Sequence, residues 1–116
     1  MLVVIFEVYP NREGKDEYLQ IAGELRSMTE NFDGFISIER FQSLADENKV
    51  VSISFWRDDK AIQVWRNVAE HRIAQGKGRT SLFNSYRIRV AEVIRDYTQD
   101  RREQAPIDSN SALDLE

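Results

Sequence analysis

Residues 35–56 read FISIERFQSLADENKVVSISFW, two alternating runs around a polar centre. In Phe35–Ser43, the residues Phe35, Ser37, Glu39 and Phe41 fall on one side and Ile36 and Ile38 on the other. In Val50–Trp56, Val51, Ile53 and Phe55 alternate with Ser52, Ser54 and Trp56. A period of two marks β-strands, and Ala45-Asp46-Glu47-Asn48 is turn chemistry, so the pair is a hairpin. Upstream, Tyr18, Ile21, Ala22, Leu25, Met28 and Phe32 recur at three- and four-residue steps. That spacing predicts a helix over Lys15–Phe32, closed by Asp33-Gly34. Downstream, Asp58 or Asp59 offers an N-cap to a second helix whose stripe is Ile62, Trp65, Ala69, Arg72 and Ile73, ended by Gly76 and Gly78. The runs Leu2–Tyr9 (LVVIFEVY) and Leu82–Tyr97 (LFNSYRIRVAEVIRDY) supply the outer strands.

The resulting order, β-α-β-β-α-β, is the ferredoxin-like α+β plan with an antiparallel sheet. Two helices cover only one face of such a sheet. Yet the first strand is apolar on both sides, with Leu2, Val4, Phe6 and Val8 on one and Val3, Ile5 and Tyr9, interrupted by Glu7, on the other. The second face is therefore expected to pack on another sheet, as in a face-to-face homodimer.

At 116 residues one domain is expected, and 41% hydrophobic residues suffice for its core. A net charge of −4 with scattered Lys and Arg leaves no footprint for nucleic acid or an anionic membrane. The absence of cysteine excludes disulfides, iron–sulfur clusters and thiolate zinc sites. The longest apolar run, Leu2–Phe6, falls short of the ~18 residues that span a bilayer, and no basic segment precedes it, so a cytoplasmic location is expected. Residues 99–116 carry five acids against Arg101 and Arg102, which sets an acidic, flexible tail apart from a domain over 1–98.

Gly34-Phe35, the run Val51–Trp56 (VSISFW), the interval from Trp56 to Trp65, WRNVAEHRIAQGKG from Trp65 and YRIRVAEVIRDY from Tyr86 form one pattern. Together they resemble the antibiotic biosynthesis monooxygenase superfamily of dimeric α+β barrels, over residues 1–98. The resemblance implies a pocket between helices and sheet in each subunit. Its branches oxidise polycyclic phenols to quinones with oxygen and neither metal nor flavin, break open haem, or act on signalling molecules and quinols. The expectation is a cofactor-independent monooxygenase of a phenolic, polyketide-like or quinol-like aromatic molecule, with oxygen as co-substrate and no bound cofactor. A non-catalytic small-molecule binding dimer is the first alternative and a haem-binding or haem-degrading protein the second. The haem branch uses a strand-one Asn, a helix-two Trp and a helix-two His; here those positions hold Glu7, Trp65 and Gln75, so the iron ligand is missing.

Trp65 lies on the buried stripe, where the resemblance makes it a pocket wall whose indole face stacks a planar substrate. His71, the single histidine, is the natural base for a phenol proton. On an unbroken helix it falls about 120° from the stripe and is exposed; a break at Asn67 would turn it inward. Glu7 needs a partner, from Arg40, Arg87 or Arg89, as a salt bridge, or else acts as a pocket acid. Arg72 on the helix stripe and Tyr86 on the last strand are polar handles for substrate, and Glu39 is a weaker case. Arg87, Arg89 and Arg95 read as a solvated face or dimer contacts. GKGRT (76–80) follows a helix and precedes a strand, the reverse of a phosphate-loop context. No His/Asp/Glu cluster has metal spacing.

Overall fold

The computed structural model describes residues 1–74 and 83–113 of the chain, with the side chains of 72–74 left aside. Among the described residues, four strands and three helices follow one another as β1 (Leu2–Pro10), α1 (Lys15–Thr29), β2 (Phe35–Gln42), β3 (Val50–Trp56), α2 (Asp59–Ala74), β4 (Phe83–Glu92) and α3 (Ile107–Ala112). The sheet order is β2-β3-β1-β4, every neighbouring pair antiparallel. This is the ferredoxin-like arrangement: each βαβ half leaves a one-strand gap that a strand of the other half fills.

Register assigns the faces. Leu2, Val4, Phe6 and Val8 of β1 stand opposite Trp56, Ser54, Ser52 and Val50 of β3, and this side lies under the helices. Val3, Ile5, Glu7 and Tyr9 share the open side with Val51, Ile53 and Phe55. The serine side of β3 is the buried one, Ser52 being 6% and Ser54 1% exposed. The more apolar side is half-exposed.

Three local expectations are corrected. Ile36 is an extra residue in β2, because Phe35 pairs with Trp56 and Ser37 already with Phe55. This bulge moves Phe35 to the helix side, against Trp56 at 5.3 Å between ring centroids, instead of beside Ser37, Glu39 and Phe41. Helix α1 ends at Thr29, not Phe32, and its buried row runs Tyr18, Ile21, Ala22 and then Thr29, while Met28 is exposed. The four-residue step from Leu25 to Thr29, rather than the three-residue step to Met28, follows the packed face. Strand β4 stops at Glu92 rather than Tyr97. Its last partner, β1, begins at Leu2, and the Val93 amide bonding the Met1 carbonyl at 3.0 Å is the final rung.

The connections are built by side chains. Asp58 caps α2, accepting the Ala61 N–H at 2.9 Å. Gly34 has φ +85° and turns the chain into β2, while Arg57 bridges Asp33 with two 3.0 Å contacts. Helix α2 runs unbroken from Asp59 to Ala74, without the break at Asn67 that would redirect His71. The expected glycine stop at Gly76 and Gly78 lies outside the described residues.

After β4 the chain leaves the body. The Cα radius of gyration is 17.2 Å, against about 13 Å for a compact chain of this length. Residues 93–113 fold on themselves: the Arg102 side chain bonds Asn110 at 3.0 Å and Ser109 at 2.9 Å and stacks on Tyr97. Ile94 and Ile107 remain more than four-fifths exposed. No helix among the described residues is long and apolar enough to cross a membrane.

Candidate functional site

Two small serines beneath two helices leave space between the layers. The resulting cavity, about 50 Å³, lies between α1, α2 and the strands β1, β2 and β3. Tyr18, Leu25 and Thr29 of α1 and Trp65 and Ala69 of α2 form its roof; Phe6, Ile38 and Ser52 form most of its floor. The walls are almost wholly apolar, and Arg40 and Arg26 are the charged side chains among them, Arg26 at the exposed rim.

Two buried donors here lack an acceptor. The indole N–H of Trp65 is buried and meets no acceptor. Its neighbour Trp56, at 5.6 Å between ring centroids, donates its own N–H to Ser54 Oγ at 2.8 Å. A buried indole normally finds such a partner; Trp56 has one within the fold and Trp65 does not. Arg40 Nε is likewise buried without an acceptor. The Arg40 guanidinium lies beside the Tyr18 hydroxyl, where burial pushes the phenol above its ordinary pKa and the cation pulls it back in part.

Of the residues singled out from the sequence, Trp65 lies in the cavity wall. Tyr86 stands on the helix side of β4, 60% exposed and outside the lining, edge-on to the cavity residue Phe6 at 5.7 Å. Glu7 lies on the open face of the sheet, its Oε1 3.3 Å from Arg89 and 3.5 Å from Lys49. Glu39 shares that open side, opposite Ile53. His71 is exposed on α2 and does not line the cavity. The Arg72 side chain and Gln75 lie outside the described residues. The structure thus brings together Trp65, Tyr18, Arg40 and Ser52, and separates Glu7 and His71 from them.

Arg40 is the residue that sequence reasoning missed, having been considered only as a partner for Glu7. It sits on the opposite face, facing Ser52 across the β2–β3 ladder. The available signal was its parity with Ile38: an arginine continuing an apolar row beside a row of serines. Among the described residues, no group of three or more His, Cys, Asp or Glu is placed to hold a metal ion.

Comparison with known proteins agrees with this architecture. The antibiotic biosynthesis monooxygenase family profile matches residues 1–77. The chain belongs to that family. It is 42% identical over 113 residues to the jasmonate monooxygenase ABM of Pyricularia oryzae, covering 90% of this chain and 53% of the fungal protein. The chain thus spans about half the length of that relative. Among solved structures, SnoaB, a cofactor-independent oxygenase from Streptomyces nogalater, superposes with a TM-score of 0.67 at 10% identity, over 82% of this chain and 94% of its own. The haem-degrader MhuD of Mycobacterium tuberculosis superposes with 0.64 at 18% identity, over 84% and 100%. At such identities these two structures attest the fold.

Proposed function

We propose that this family member is a monooxygenase that oxidises an electron-rich phenolic or quinol-like small molecule with dioxygen, using the substrate's own electrons and no resident cofactor. The observation that carries the reading is an apolar cavity walled by Trp65, whose indole N–H is buried without an acceptor. Such a cavity excludes water, stacks a planar ring on the indole, and offers a donor to an oxygen atom where negative charge develops. The reaction balances without an added reductant. A phenol gives up two hydrogens and gains one oxygen atom to become a quinone, and the second oxygen atom leaves as water. The fungal relative's name supports the oxygenase class, and the SnoaB superposition supports the fold's capacity for cofactor-free chemistry.

The proton acceptor assigned from the sequence is His71. Since its side chain is exposed and outside the lining, a substrate that uses it gives up its proton before it enters the cavity. The cavity of about 50 Å³ holds a few small groups, so a fused-ring substrate enters by spreading α1 from α2. Homodimerisation through the open sheet face belongs to the same reading. Val3, Ile5, Val51, Ile53 and Phe55 lie there half-exposed, and the chain end beyond β4 reaches outward past its own body.

Oxygen uptake by chelator-treated protein tests the reading, against anthrones, naphthols, quinols and jasmonate, with Trp65→Phe and His71→Ala alongside. Chelator-resistant uptake that falls in Trp65→Phe, which keeps a ring and loses the N–H, is the expected result. Uptake abolished by chelation, or equal in Trp65→Phe, overturns it. Light scattering at micromolar concentration is expected to give twice the 13.6 kDa chain mass; a monomeric mass removes the dimer.

A further inference from the structure

We propose that Arg40 is an anion anchor, so that the pocket prefers ligands carrying an anionic oxygen, a carboxylate or an ionised phenol, over their neutral counterparts. The inference rests on the pocket being the ligand site, and it names the chemistry that site selects.

The argument is one of unbalanced charge. Arg40 projects from the helix side of β2 into the cavity wall; the residue is half-buried, and within its guanidinium the Nε–H is buried with no acceptor. Among the described residues, no Asp or Glu lines the cavity and no carboxylate pairs with Arg40. The acids on adjoining strands are turned away: Glu39 lies on the opposite side of β2, and Glu7 on the opposite side of β1 is already engaged by Arg89 and Lys49. A guanidinium keeps its charge at every relevant pH, and a cation against apolar walls is stable only when paired and hydrogen-bonded.

What else reaches the cavity adds to the positive side. Arg26 stands at the rim, and the Trp65 N–H is a second buried donor without a partner. The Tyr18 hydroxyl accepts a hydrogen bond from the guanidinium but, as a neutral phenol, does not balance its charge. A neutral apolar ligand would fill the volume and leave the cation uncompensated. An anionic oxygen accepts from the guanidinium, whose planar fork suits a carboxylate, and has lone pairs left for the indole. A site tuned to a neutral hydrocarbon has no use for an arginine here. The serine opposite it, Ser52, is what leaves the long side chain room.

Equilibrium dialysis at pH 7 tests the anchor with two matched pairs: 2-naphthoate and its methyl ester, and 2,4-dinitro-1-naphtholate and its methyl ether. The intact chain is expected to bind at least one anion about tenfold or more tighter than its neutral partner, the scale of a charge-assisted hydrogen bond. In Arg40→Gln that preference is expected to vanish while the neutral partner binds as before; Arg40→Lys is expected to retain part of it. Preference for the naphthoate alone assigns the anchor to a carried carboxylate, and preference for the naphtholate alone to an ionised ring oxygen. Equal binding of both members of both pairs by the unmodified chain overturns the proposal, as does a preference that survives in Arg40→Gln. If Arg40→Gln binds nothing, Arg40→Lys decides: loss of preference with the neutral partner still bound overturns it. Anion preference without oxygen uptake leaves the anchor standing and removes the monooxygenase reading. Uptake without anion preference does the reverse.

Discussion

Gly34→Ala is expected to destabilise this fold strongly, and the structure gives the amount. Gly34 has φ +85°, and an added Cβ would stand 2.7 Å from Ala61 Cβ, inside van der Waals contact. Ala61 is buried in the first turn of α2, which Asp58 caps, so it cannot yield without moving the helix. An L-residue in the left-handed region costs roughly 1–2 kcal/mol, and overpacking of this kind adds about 1–3 kcal/mol. The sum, about 2–5 kcal/mol, is a large part of the ~5–15 kcal/mol by which domains are stable. The melting temperature should fall by about 8–20 °C, taking roughly 4 °C per kcal/mol for a chain of this size. Gly23→Ala is the internal control: Gly23 lies exposed within α1 with nothing within 4 Å of an added Cβ. There the same methyl should stabilise by about 0.5–1 kcal/mol. Urea unfolding followed by tryptophan fluorescence measures both, with the denaturant slope unchanged. A loss below about 1 kcal/mol for Gly34→Ala, or equal losses at both sites, refutes the reasoning.

Three further outcomes are expected. Ser52→Val places a larger, apolar group in the cavity floor, so ligand binding should be lost while stability changes by no more than about 1–3 kcal/mol; unchanged affinity for the naphthoate probe would show that ligands bind elsewhere. Burial raises the Tyr18 pKa above 10.0, so its stabilisation is complete below that pH and is lost as pH rises through the higher folded value. Tyr18→Phe should therefore flatten the alkaline limb of the stability curve, read from melts between pH 9 and 12. Arg57 holds the Asp33 carboxyl below its ordinary 3.8, so that contribution is present above pH 3.8 and disappears as pH falls through the lower folded value. Asp33→Asn should reduce the acid-limb slope, and an identical slope would show that the exposed pair is screened.

Much of the architecture was legible from local pattern. The period-two runs, the helical spacing around Tyr18 and Ile62, and the turn chemistry at Ala45–Asn48 each act over a few residues, so they survive without tertiary context. The order they define has one low-strain antiparallel solution, and the sheet order follows from it. Trp65 was legible as buried because it sits on the periodic stripe of α2, and as a pocket wall through the family resemblance.

What resisted were features set by contacts between distant segments. Ile36 as a bulge depends on the register against Phe55 and Trp56, and alternation within β2 alone assigns Phe35 to the wrong face. The end of β4 depends on where β1 begins, not on the propensity of VIRDY. Glu7 and Arg40 were both visible as charged residues on apolar strands, but only the sheet register separates them. One lies with Arg89 and Lys49 on the open face, the other with Trp65 under the helices. Most of all, the serine row of β3 reads as the polar face of a strand, yet it is the buried one. The strand pattern determined that Ser52, Ser54 and Trp56 share a side. Only the packing of α1 and α2 determined that this side faces inward, because it is these helices that cover Ser52, Ser54 and Trp56, and Ser52, too short to reach Tyr18 and Trp65, becomes part of the cavity floor.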